Sequence, residues 1–385
     1  MNKNSTCQNC KKDFTIEDED FSFYEKMKVP PPTFCPLCRA QRRHAFRNER
    51  GLYKRECDFS GKEIFSMYAP VSPIKVYERD VWLSDAWDPM DYGRDIDWSR
   101  PFLPQLHELM LEVPFKANNV IRGTGSDYSN NATDPKNCYL VFNATNPEEC
   151  MYANGINFSK ECVDVSHVSK CETCYGGFWM TGCYRTHFCS QCVECSDVLF
   201  SRDCLGCMNC FGCVNLRKKS YCFFNEQLTK EEYEKRLAEY ALHTREGIER
   251  AKKETAEFWK KFPNKNHQGI KNIDCAGSYV SHSKNVKESF LVRESENIKY
   301  CQSLQEIPGT KDCYDYSVWG DNAELVYEAA SSGTGVHNIK FALLTQEDVR
   351  DTEYTINCTN GSHDLFGCVG LRKREYCILN KQYTK

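Results

Sequence analysis

CMYANGINFSKECVDVSHVSKCETCYGGFWMTGCYRTHFCSQCVECSDVLFSRDCLGCMNCFGC, residues 150–213, carries its cysteines at fixed intervals. Cys150, Cys171, Cys192 and Cys213 stand 21 residues apart, as do Cys162, Cys183 and Cys204 and the pairs Cys174/Cys195 and Cys189/Cys210. Between residues 138 and 222 seven cysteine pairs share that interval, against roughly two expected from a random order of the same residues. Phe158, Trp179, Phe200 and Tyr221 repeat it in an aromatic column. Intervals of 9 and 12 are also over-represented, and together they make 21. The pattern predicts a coil with two cysteine-bearing sides and about 21 residues per turn.

Segments such as CYLVF, CVDVSHV and CYGGFWM alternate β-branched or aromatic residues between Asn, Gly, Ser, Lys and Asp, which reads as short strands separated by turns. One turn cannot bury its apolar side alone, whereas stacked turns make a continuous core. The predicted class is therefore mainly β, a right-handed parallel β-helix; the leucine-rich-repeat frame is absent. Its open ends need caps. Residues 101–114 place Leu103, Leu106 and Met110 at helical spacing before Pro114, and Thr229 with Glu232 forms a capping box. Gly247 is expected to break or kink the helical run that ends at Pro263.

The coil occurs twice. FGCVNLRKKSYCFFNEQLTK at 211–230 matches FGCVGLRKREYCILNKQYTK at 366–385 position by position, and CMYANGINFSKECVDVS at 150–166 corresponds to CQSLQEIPGTKDCYDYS at 301–317. The offset grows from 151 to 155, so the second copy carries an insertion of a few residues. The resulting division is residues 1–56, a ribbon with a basic arm; 57–117, an aspartate- and aromatic-rich connector with a capping helix; 118–228, the first solenoid; 229–265, a helical linker; and 266–385, the second solenoid. Lys385 falls where the first copy enters its helix, and the parallel predicts a continuing or frayed end.

The chain has 385 residues, 25 cysteines, 41% apolar residues and a net charge of −4. That balance excludes a chain-wide polyanion binder, so basic function must be local. No apolar run is long enough to span a bilayer, and MNKNSTCQNCKKDF has no signal-peptide core. Thiol abundance without an export signal points to a reducing cytoplasm, with cysteines free or metal-bound. CLGCMNCFGC at 204–213 has the wrong last spacing for a ferredoxin cluster and lacks its proline. The duplicate places Ser289, Asn322, Leu325 and Thr334 opposite Cys138, Cys171, Cys174 and Cys183. A ligand set cannot accept leucine, so packing is preferred to a second metal or cluster.

Cys7-x2-Cys10 and Cys35-x2-Cys38 differ in kind. Two such knuckles close a tetrahedral thiolate cage around structural zinc and leave no open catalytic position; rubredoxin-like iron and unliganded thiols are the alternatives. CQNCKKDFTIEDEDFSFYEKMKVPPPTFCPLCRAQRR resembles the zinc-ribbon domain family over about the first 45 residues. The resemblance implies one zinc ion on Cys7, Cys10, Cys35 and Cys38. With WLSDAWDPMDYGRDIDWSRPF and the FGCVNLRK block, most of the chain resembles uncharacterised cysteine-rich proteins of uncultivated bacteria, a likeness that carries no activity.

RAQRRHAFRNERGLYKRE interleaves Phe46 and Tyr53 with basic residues. Arg39, Arg43, Arg47 and Arg50 fall on one helical stripe, flanked by Arg42 and Lys54, a pattern that can track phosphates while rings stack on bases. The competing reading pairs this charge internally with the aspartates at 85, 88, 91, 95 and 97. Cys57 lacks a partner cysteine nearby and reads as packing. The functional expectation is a non-enzymatic zinc adaptor, its arm contacting nucleic acid or a ribonucleoprotein and its solenoids a protein partner, with no membrane contact. A purely structural interaction scaffold is the alternative, and a metal-cluster redox protein or enzyme the third reading.

Overall fold

The computed structural model describes residues 3–305 and 309–385. The solenoids are parallel coils, but their turn is shorter than the cysteine interval suggests. In the first coil Ala132 pairs with Ala144, Ala144 with Ile156, Ile156 with Val168 and Val168 with Met180, each twelve residues on. The expected turn of about 21 residues is thus corrected to twelve. Every third residue points inward, giving four core columns; one runs Cys138, Cys150, Cys162 and Cys174. An interval of 21 is one turn plus three sides, so it joins neighbouring columns at different heights. The aromatic column fails for the same reason. Phe158 is exposed and Trp179 lies against Tyr279, while the true stacks are Phe188 on Phe200 and Phe211 on Phe223.

A residue two places after each core position turns the corner with positive φ, as at Asn131, Asp134, Asn137, Asn143 and Asn146. Asn, Asp and Gly tolerate this left-handed conformation, which is why they punctuate the sequence so densely. The thiols also serve the backbone. Cys162 Sγ donates to the carbonyl oxygens of Lys160 at 3.2 Å and Cys171 at 3.6 Å. Where the core residue one turn earlier is serine, its Oγ accepts from the inward-facing amide: Ser126 Oγ from Cys138 N at 3.0 Å, Ser201 Oγ from Cys213 N at 2.9 Å. A narrow coil therefore favours small side chains that pack apolarly and still satisfy buried peptide groups.

The second coil starts with eleven- and twelve-residue turns, takes fifteen residues from Glu296 to Lys311, and then changes. Lys311 pairs with Glu324, Glu324 with His337, His337 with Arg350 and Arg350 with His363, each thirteen residues on, before His363 returns to twelve with Glu375. The growth of the offset from 151 to 155 is therefore spread as one residue over each of four turns, and the fifteen-residue turn before them includes residues 306–308, which lie outside the described residues. Three of those turns close on two successive left-handed residues: Thr334–Gly335, Glu347–Asp348 and Asn360–Gly361. Register then places Ala323, Val326 and Val336 opposite Cys171, Cys174 and Cys183, correcting the sequence alignment. The replacements are apolar, so the packing argument is strengthened.

Ahead of the coils, β1 (Lys3–Thr6) and β2 (Asp13–Ile16) form a hairpin followed by α1 (Asp18–Lys26) and α2 (Pro36–His44). A second hairpin, β3 (Tyr53–Glu56) and β4 (Glu63–Ser66), leads to α3 (Arg79–Leu83) and α4 (Phe102–Glu112). Helix α4 buries Leu106 and Leu109 against Val369 and Leu379 of the second coil, whereas Leu103 faces solvent, contrary to the expected stripe. The connector aspartates pair there too: Asp88 with Arg374 and Asp95 with Lys381, rather than with the basic arm.

Helices α5 (Lys230–Ala238) and α6 (Arg245–Trp259) cover the end of the first coil through Tyr233, Tyr240 and Ala251 on Phe211 and Phe223. The Thr229/Glu232 capping box is formed. Gly247 neither breaks nor kinks the run. It lies in the first turn of α6, its amide held by Thr244 Oγ1, where a Cβ would collide with the Tyr240 carbonyl oxygen.

Candidate metal centre and the cleft beside it

The hairpin turn between β1 and β2 presents Cys7 and Cys10, and the N-terminal turn of α2 presents Cys35 and Cys38. Their four Sγ atoms lie within 4.8 Å of one another. Cys10 and Cys35 sulfurs are 3.8 Å apart. Cys35 N–H points at Cys7 Sγ at 3.2 Å, and Asn9 Nδ2 at Cys38 Sγ at 3.3 Å. Burial works to raise the Cys7 thiol, but backbone amides of Cys35, Cys10 and Asn9 outweigh it and draw it down to about 6. Donors aimed at sulfur suit thiolates, and the donor set fits a soft tetrahedral ion. The four predicted ligands are thus brought together. A second acidic cluster, Glu17, Glu19 and Asp20, already surrounds the Lys299 ammonium, 2.8 Å from Asp20. Among the described residues the solenoid thiols form no comparable group.

The basic stripe is largely consumed inside the molecule. Arg39 and Arg43 leave α2 on its buried face and meet Asp315 of the second coil at 2.8 and 2.9 Å. Arg43 also donates to the Tyr300 carbonyl at 3.1 Å. Burial opposes charge on Arg39, yet the Asp315 carboxylate prevails and holds the guanidinium protonated. Arg42 pairs with Glu328, Arg47 with Glu49 and Lys54 with Glu63. Only Arg50, of the six residues offered to phosphate, has no ion pair among those found in the described residues. The sequence pointed to acid pairing but missed the acids: Arg39, Arg42 and Arg43 find theirs in the second coil, more than 270 residues away, and Arg47 and Lys54 in the nearby Glu49 and Glu63.

No protein-family model matches the chain, and no curated protein matches it. Function must be read from the geometry.

A cleft of about 520 Å³ lies between the coils, within the ordinary range for a binding site. One wall is an asparagine ladder: Asn119 donates to Asn131 at 3.2 Å, Asn131 to Asn143 at 2.5 Å and Asn143 to Asn154 at 2.8 Å. The ladder stops at Gly155, where His167 leans in with a buried, unpartnered Nδ1. Burial first, and then Arg50, hold that imidazole below its ordinary value and so neutral. The facing wall carries Gln302, Gln305, Val318 and Trp319, and the arm supplies Arg47, Glu49 and Arg50. Val318 and Trp319 both have positive φ, unusual for a β-branched or bulky residue. Sequence reading missed this site. The only trace was asparagine recurring at twelve-residue intervals (119, 131 and 143), which looked like turn punctuation.

Proposed function

We propose that the protein is a non-enzymatic, zinc-bearing interaction scaffold that holds a partner in the cleft between its coils. The cleft carries the reading: its lining is rich in amides and hydroxyls with few charges, which favours a neutral, hydrogen-bonding segment over a phosphate chain. Four gathered cysteine sulfurs, two of them facing N–H donors, favour zinc as the resident ion, saturated by protein ligands and so structural. Free thiols throughout fit a reducing compartment. No helix among the described residues is long and apolar enough to cross a membrane.

The test is to plug the cleft. Thr145→Arg, on the cleft wall, should abolish a nuclease-resistant association captured by the wild-type chain without changing its melting temperature. Equal capture by both proteins would refute the reading.

Contact with nucleic acid is a second reading, favoured by the exposed rings of Phe46 and Tyr53 beside Arg50. Its variant is Arg50→Ala with Lys54→Ala, since changing buried Arg43 would disturb the fold itself. Salt-dependent affinity for single-stranded oligonucleotides should fall in that double variant. Affinity that is equal in both proteins removes this reading.

A further inference from the structure

Residues 53–83 repeat the metal knuckle bond for bond, offset by fifty positions in the hairpin. In the first hairpin Lys3 faces Ile16 and Thr6 faces Asp13; in the second, Tyr53 faces Ser66 and Glu56 faces Glu63. Cys7 N donates to Lys12 O at 2.8 Å, and Cys57 N to Lys62 O at 2.8 Å. The turns close with Lys11 N on Cys7 O at 3.0 Å and Gly61 N on Cys57 O at 2.9 Å, and both Lys11 and Gly61 are left-handed.

The correspondence continues past the hairpin. Gln8 N reaches Thr33 O at 2.9 Å, as Asp58 N reaches Val76 O at 2.9 Å. Cys35 N points at Cys7 Sγ at 3.2 Å, and Glu78 N at Cys57 Sγ at 3.2 Å. Cys35 and Glu78 are each the N-cap of the helix that follows. The ligand positions Cys7, Cys10, Cys35 and Cys38 therefore map onto Cys57, Ser60, Glu78 and Val81.

We infer that residues 53–83 are a second knuckle that has given up its metal and kept its fold, and that restoring three thiols would recreate a second tetrathiolate site. One sulfur remains, still receiving the amides of Glu78 and Ser60 at 3.2 and 3.5 Å. The acid in the third ligand position meets Lys62 at 3.7 Å instead of a cation held by thiolates. What replaces the metal's folding contribution is packing. Trp82, the counterpart of Arg39, is wholly buried, donates its indole N–H to Pro114 O at 2.8 Å and lies beneath Arg372 of the second coil. A short knuckle without metal needs such an external anchor. The two copies thus divide the work: the first fastens to the flank of the second coil with its ion, the second seals the coil's end without one.

The experiment measures metal per chain by plasma mass spectrometry and cobalt(II) absorption, in the wild type and in Ser60→Cys/Glu78→Cys/Val81→Cys. The wild type should hold a single ion, and the triple variant a second, with sulfur-to-cobalt charge-transfer absorption roughly doubled. Two ions in the wild type, or a folded triple variant with one, would overturn the inference. Should the triple variant not fold, hydrogen exchange on the chelated wild type decides. The amides of Cys7 and Cys35 should lose protection while those of Cys57, Asp58 and Gly61 keep it. Equal loss in both hairpins overturns it as well.

Discussion

Arg39 donates its Nε–H to the Asp315 carboxylate at 2.8 Å, joining positions 276 residues apart with both side chains shut away from solvent. Arg43 shares the same carboxylate. Asp315→Ala would strand two buried guanidinium groups, a loss of about 3–5 kcal/mol. The variant should unfold at lower denaturant and free α2 from the coil, whereas Glu328→Ala, which unpairs only the half-exposed Arg42, should cost about 1 kcal/mol or less. Equal effects from the two would show that the buried triad is not the fastening.

The core thiols are expected to behave as packing groups. Cys174→Val copies what the second coil holds at Val326 and should change stability by less than about 1.5 kcal/mol with metal content unchanged. Cys174→Asp buries an unpaired carboxylate and should prevent the first coil from folding. Loss of a bound metal in the valine variant would contradict the packing account.

Chelation should melt the first knuckle alone. Metal binding is worth on the order of 10 kcal/mol to such a small module, while the coils rest on their own hydrogen bonds and cores. Far-UV circular dichroism should keep its β signal after chelation while proteolysis opens between residues 7 and 38. A global collapse of the β signal would make the ion a determinant of the whole fold.

Acid should loosen the same fastening. The hydrogen bond from Lys299, aided by its charge and that of Lys287, holds Glu17 below the ordinary carboxylate range. At Asp312 burial works upward, but hydrogen bonds from Lys26 and Asn297 prevail and lower it. Carboxylates depressed in the folded state stabilise it above their unfolded values and lose that contribution as pH falls through the folded ones. Glu328, raised by burial and by Asp315, has the opposite sign and relieves part of the loss. Near-UV dichroism from the Phe23–Tyr314 stack should be steady at neutral pH and decline below about pH 4. A flat signal to about pH 3 would refute the linkage.

Gly247→Ala places a methyl group against the Tyr240 carbonyl and should cost about 1–3 kcal/mol. The damage should concentrate where α6 covers Phe211 and Phe223. Wild-type protection of those strands in hydrogen exchange would show that the close approach is tolerated.

The repeat was legible because core chemistry recurs at a fixed pitch, yet its true pitch was hidden. Cysteine, serine, valine and alanine are interchangeable in the columns, so identity between successive turns is sparse and a sum of two real intervals stands out. Positive φ at every third residue is a backbone property, and Phe158 or Leu140 at such corners gives no sign of it. The metal ligands were readable because thiolate spacing is chemically demanding. Asp315 and the cleft were not, since both arise where distant segments meet. Cys57, read as packing, is indeed buried, and the likeness of its hairpin to the first was hidden because the corresponding positions hold Ser60, Glu78 and Val81.

The four-residue side that recurs in the second coil has a consequence for how such a chain can change. Thr334–Gly335, Glu347–Asp348 and Asn360–Gly361 each absorb a spare residue at a vertex while every inward column stays aligned. Single-codon gains or losses are thus harmless at one edge of the prism and ruinous on its other faces, where they would turn interior groups outward. Length variation among descendants of this gene should accumulate along that one seam.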